Sequence, residues 1–211
     1  MKELKHSFLQ VETAGGTALG GNQAWFRKKF LKRSACGVIS AANVLLYRRG
    51  KQKLLEAEYM DFAEYLWKYY LPVIPGFGMN GLTLGSGLNL YFLKHRLPYR
   101  AFWGVSGKKM ISRIDEMLER DFPVILAIGP NFPKFWGKET LNLYKKTQNG
   151  TNVLSTKTRA HFVTVIGHEK EELKISSWGK EYVINLGEYQ EYIKKYSSPL
   201  VTNIICITAA R

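Results

Sequence analysis

The chain contains no run of about 18 apolar residues, which excludes a membrane-spanning helix. Cysteine is scarce. Cys36 and Cys206 make at most one disulfide, so this is no disulfide scaffold. No cluster of His, Cys, Asp or Glu has metal-ligand spacing. The pairs Gly15-Gly16 and Gly20-Gly21 match no phosphate loop, and Gly85-x-Gly87 lacks the rest of a dinucleotide fingerprint. No metal or cofactor is therefore expected. The opening residues, Met1 to His6, have no apolar h-region behind them, so no signal peptide is expected and a cytoplasmic location is. Acidic residues are few: 17 Asp and Glu face 31 Lys and Arg, a net charge of +14. The basic clusters, such as Arg27-Lys28-Lys29 and Lys194-Lys195, come with no zinc-finger, ribonucleoprotein or basic-zipper pattern. They read as a solvated basic surface, without a nucleic-acid partner and with a bias toward acidic ones.

What the chain does have is core. Hydrophobic residues make up 45% of its 211 residues and aromatics 13%, enough for one domain. Residues 1–22 are polar and glycine-rich and read as a loose lead-in to a single domain at 23–211. Cys36 to Tyr47 has helical spacing (Val38, Ile39, Ala42, Leu45, Leu46), ended by Arg48-Arg49-Gly50. Further helices are predicted at 54–71, 82–97, 107–120 and 187–196. Strands are predicted at 99–103, 122–129, 161–166, 173–177, 180–186 and 200–209, with a polar and aromatic connection over 130–158. Helices come first and strands later, the α+β pattern.

The two thiols differ in setting. Cys206 lies in an apolar terminal strand and reads as a small core residue. Cys36 opens a helix, where orphan amides and the macrodipole favour a thiolate. An imidazole beside such a sulfur makes a nucleophile–base pair. His6 lies in the lead-in, and His95 and His168 read as solvated. His161 opens the apolar strand Ala160-His161-Phe162-Val163-Thr164-Val165-Ile166 and is the candidate base.

His161 follows Cys36 at close to the ~130–150 residues that separate the pair in papain-like enzymes. Cys36-Gly37 opening a small-residue helix, the His161 strand ending in Gly167-His168, and Ile175-Ser176-Ser177-Trp178-Gly179 together resemble the papain-like cysteine peptidase superfamily. Arg120-Asp121-Phe122-Pro123-Val124-Ile125 before the histidine strand is similar to the bacterial C39-like peptidases. The resemblance implies a papain-like fold, with a helical lobe led by the nucleophile helix packed on an antiparallel sheet. It implies Cys36 as nucleophile and His161 as general base. It implies an oxyanion hole from the Cys36 N–H and Gln23, and Ser176 as the residue that orients the imidazole. Two departures stand out. The stretch from Gln23 to Cys36 is longer than usual, which requires Phe26 to Lys32 to fold away from the site. Ser176 also stands where the families have asparagine or aspartate. The expected activity is thiol-dependent cleavage of a peptide or peptide-like amide, an acidic one being favoured by the charge. A papain-fold acyltransferase or amidase, and a non-catalytic basic binding module, remain open alternatives.

Overall fold

The computed structural model describes residues 2–105 and 109–209. In chain order, β1 (Lys2–Glu3), β2 (Gln10–Thr13) and β3 (Gly16–Leu19) precede a 3-10 turn at Gln23–Trp25. The short helix α1 (Lys29–Ser34) leads into α2 (Cys36–Arg48). Strand β4 (Lys53–Leu55) then precedes α3 (Glu56–Tyr69), α4 (Gly81–Lys94) and β5 (Tyr99–Trp103). The second half runs α5 (Met110–Glu119), β6 (Val124–Ile128), β7 (Leu141–Lys146), β8 (Asn152–Thr158), β9 (His161–Glu169), β10 (Glu172–Ser177), β11 (Lys180–Asn185), α6 (Leu186–Tyr196) and β12 (Ile204–Ala209). Residues 107 and 108, the start of the predicted 107–120 helix, lie outside the described residues.

The protein is α+β. One large sheet takes the order β5-β12-β6-β9-β10-β11-β7-β8, with β1 added against β9, and every pairing in it is antiparallel. A small sheet, β3-β2-β4, stands apart. Helix α2 is buried at every position from Gly37 to Tyr47, which makes it a central helix rather than an amphipathic surface one. It packs on β9 and β6, with α3 and α4 against it. Two of the other helices take ordinary side-chain caps: Asn80 Oδ1 accepts the Thr83 N–H of α4 at 2.8 Å, and Asn185 Oδ1 accepts the Glu188 N–H of α6 at 3.0 Å. No helix among the described residues is long and apolar enough to cross a membrane.

The expectation of a loose lead-in over residues 1–22 is corrected. This segment forms three strands and buries Leu9 and Val11 completely. β2 pairs antiparallel with β3 and parallel with β4, and β1 holds Lys2 and Glu3 opposite His168 and Gly167. Its strands are only two to four residues long, and β1 and β2 find further partners far along the chain, so little in the local pattern announces them. The expectation of a solvated turn at His168 is corrected with it: β9 continues through Glu169, and the His168 ring lies 2.6 Å from Asp115 Oδ1 and 2.8 Å from the Lys170 carbonyl.

Candidate active site

Cys36 occupies the first position of α2. Ala35, the residue before it, offers no side-chain cap, and the first turn carries no acidic residue. The free amides of this helix end are thus left to the backbone and to whatever enters beside the sulfur. Close packing surrounds the position. A Cβ on Gly37 would come 2.8 Å from Met79 Sδ and 3.3 Å from the Phe162 ring, so a larger residue there would push the helix start off its neighbours. Cys36 remains partly accessible, whereas Cys206 is buried, as its apolar strand implies.

His161 is the first residue of β9 and is buried. Its ring stacks on Trp178, with centroids 4.4 Å apart and planes 16° from parallel. Trp178 and Gly179 form the two-residue turn between β10 and β11, with φ of 49° and 72°. Positive φ at both central positions is the geometry that matches the twist of a tight hairpin. A tryptophan in that region is strained by about 1 kcal/mol or more. The turn sets its indole flat over the imidazole.

Cys36, His161, Gln23 and Ser176 line one small cleft, together with Asn43, Ser177 and Trp178. All four residues singled out from the sequence are therefore in one place. Among the described residues no hydrogen bond joins the Cys36 sulfur to the His161 ring. The role expected of Ser176 is corrected. It is Ser177 Oγ that lies 2.8 Å from His161 Nε2, while Ser176 donates to the Leu19 carbonyl at 2.8 Å. The two serines are neighbours on β10, and their hydroxyls turn to different partners. Ser176 is instead a spacer. Gly20, with φ 72°, packs so closely that a Cβ there would sit 2.6 Å from Ser176 Oγ.

The long stretch between Gln23 and Cys36 serves the site rather than avoiding it. Phe26 and Leu31 are buried, Lys29–Ser34 forms α1, and the Lys32 carbonyl accepts a hydrogen bond from Gln23 Nε2 at 2.9 Å. The insertion thereby fixes the glutamine amide, whose second N–H stays available, while its buried Oε1 has no partner among the described residues. Trp25 packs edge-on against Tyr59, 5.9 Å between centroids.

Sequence reading misses Asn43, which ties the site together from inside α2. Its Oδ1 accepts from the Gly21 N–H at 3.0 Å and from Tyr59 OH at 2.8 Å, and its Nδ2 donates to Thr164 Oγ1 at 3.1 Å. One buried amide thus joins the N-terminal segment, α3 and β9 to α2. The signal for it is an asparagine in a helix whose other neighbours are all small or apolar, since buried polar groups need partners.

Burial dominates the electrostatics. It pushes the Cys36 thiol above its ordinary value, against the pull of the Phe162, Gly37 and Cys36 amides. It lowers the His161 imidazole to about 3. Both directions favour uncharged partners, so the resting site holds a neutral thiol and a neutral imidazole. The cleft thus brings together a thiol, an imidazole with one ring nitrogen bonded to Ser177 and a side-chain amide held by the Lys32 carbonyl, with Trp178 stacked on the ring. No family model matches the chain, and no curated protein matches it.

Proposed function

We propose that this protein is a thiol-dependent hydrolase of peptide or peptide-like amides, with a papain-like fold nearest in kind to the bacterial C39-like peptidases. The observation that carries this reading is the shared cleft: the thiol that heads a buried helix and the imidazole that heads β9 line it together, with Trp178 stacked on the ring. The chemistry runs through neutral partners. Proton on Nε2, donated to Ser177 Oγ, leaves Nδ1 unprotonated and able to take a proton. As the Cys36 sulfur attacks the amide carbonyl, its proton passes to Nδ1. The oxyanion is met by the Cys36 N–H and the free N–H of Gln23. The imidazolium then gives that proton to the leaving amine as the C–N bond breaks, and a thioester remains. Water adds to the thioester with His161 again as base, the C–S bond breaks, and the carboxylic acid and the thiol are released. Ser177 supplies one neutral hydrogen bond and no charge, so it orients the ring while stabilising the imidazolium less than a carboxylate.

The test is to trap the thioester. With an activated acetyl ester, acylation is expected on Cys36 and not on Cys206, is absent in Cys36→Ala, and slows in His161→Ala. Equal acylation of both cysteines, or an unchanged rate in His161→Ala, overturns the reading. An amine that outcompetes water for the thioester assigns the acyltransferase alternative. The binding-module alternative has one observation in its favour, the burial that keeps both partners uncharged, and Cys36 that never acylates would support it.

A further inference from the structure

The most exposed tryptophan of the described residues does not belong to the cleft. Trp136 is 83% exposed, Phe135 at 49% and Phe132 share its loop, and Tyr196 and Leu200, at 75%, are exposed on the segment to which this loop is bonded. These residues come from separate parts of the chain and are held together. Phe132 and Phe135 stack edge-on with centroids 5.8 Å apart, the Phe132 N–H donates to the Tyr196 carbonyl at 2.8 Å, and Ser197 Oγ donates to the Pro130 carbonyl at 3.1 Å. Large apolar side chains exposed together on two bonded segments mark an interaction surface. Its surroundings are basic. Lys134 and Lys138 alternate with the aromatic residues of the loop, and Lys194 closes α6. All three are exposed and have no carboxylate partner among the described residues. Of the acidic residues nearby, Glu191 is met by Lys195 at 3.5 Å, and Glu139 follows Lys138.

We infer that this patch docks the protein on an anionic lipid bilayer. Tryptophan and phenylalanine on a loop tip, with lysines beside them, fit the interface of a membrane: the rings enter the headgroup boundary and the ammonium groups meet lipid phosphates. The chain's +14 charge favours the same negatively charged surface. The patch is also rooted next to the cleft. The Gly129 carbonyl accepts from the Ala160 N–H at 3.2 Å, and the Arg159 guanidinium bonds to the Gly137 carbonyl, so the aromatic loop is fastened to the turn that ends at His161. Docking would hold the His161 side of the cleft near the bilayer. That a substrate reaches the cleft from the membrane rests on the hydrolase reading; the docking itself does not.

The experiment is co-sedimentation of the full chain with phosphatidylcholine vesicles, with and without phosphatidylglycerol. Binding is expected only with the anionic lipid. The double variant Phe135→Ser/Trp136→Ser is expected to weaken it at least about tenfold, and Lys134→Glu about fivefold. Lys53→Glu, on β4, is expected to change it less than about twofold. Unchanged thermal unfolding of these surface variants keeps the comparison clean. Cys36→Ala should sediment like the parent protein, so the outcome is separate from that of the acylation test. Three results overturn the inference: no sedimentation with either vesicle, binding indifferent to the aromatic double variant, or self-association that Trp136→Ser abolishes without any vesicle binding.

Discussion

Strand β9 carries a histidine near each end, and the two are held in opposite ways. At His168 both ring nitrogens are engaged, one by Asp115 and one by the Lys170 carbonyl. At His161 one nitrogen meets the Ser177 hydroxyl, and among the described residues the other has no hydrogen bond. Among the described residues no carboxylate bonds to it, and its ring stacks on an indole in the cleft that Cys36 also lines. A ring with both nitrogens bonded is locked into the structure. A ring with one nitrogen left over can exchange a proton with whatever enters. The cysteines repeat the contrast: burial pushes Cys206 to about 11 inside the sheet, while Cys36 faces a cleft.

The comparison breaks or sharpens under substitution. Cys36→Ala and His161→Ala are each expected to lower turnover of an activated acyl substrate at least about a thousandfold. His168→Gln should change it less than about threefold. A large loss at His168 would erase the distinction. Next in size is the tie between α2 and β9. Asn43→Ala strands the Gly21 N–H and Thr164 Oγ1 and leaves Tyr59 OH only the Ile39 carbonyl, and should cost about 3 kcal/mol in urea unfolding. A loss of under about 1 kcal/mol would mean that the network holds nothing together.

His161 also makes stability depend on pH. Its value in the fold is about 3, below the unfolded value near ~6.5. The fold therefore favours the neutral ring. The contribution is intact above about pH 6.5 and is lost as the pH falls toward 3. At pH ~4.5 the protein should have lost about 2 kcal/mol that His161→Gln does not lose, read from paired urea curves at pH ~7 and ~4.5. Parallel curves for the two proteins would show that the ring is not desolvated.

The smallest effects separate the two serines. Ser177→Ala removes the hydrogen bond to Nε2 and should lower turnover about tenfold with little change in stability. Ser176→Ala gives up the bond to the Leu19 carbonyl. It should cost about 1 kcal/mol of stability and leave turnover within about threefold. The reverse pattern would restore Ser176 as the orienting residue.

Much of this was legible in the sequence where the signal was local. Tyr99–Trp103 is a strand at the positions its short apolar run predicts, and the helix that begins at Cys36 shows in the recurrence of Val38, Ile39, Ala42, Leu45 and Leu46. That Cys36 and His161 line one cleft was legible through the resemblance to papain-like chains. What was not legible depends on register or on distant partners. Ser176 and Ser177 differ by one position on β10, and one position turns a side chain to the other face. The extension of β9 through His168 depends in part on Lys2 and Glu3, which lie across the fold. Gln23 is fixed by a carbonyl on α1, a helix of six residues that no periodicity resolves.

The first twenty-odd residues turn out to be the mortar of the cleft. The Leu19 N–H is taken by the Gly179 carbonyl and the Gly179 N–H by the Gly21 carbonyl, so the hairpin tip that carries Trp178 is clasped by the head of the polypeptide. Ser176 leans on the same segment through Leu19, and Asn43 through Gly21. A shortened chain beginning at Gln23 would not be a trimmed copy of the same machine. It would lose the wall behind the imidazole along with the seam that seats helix on strand.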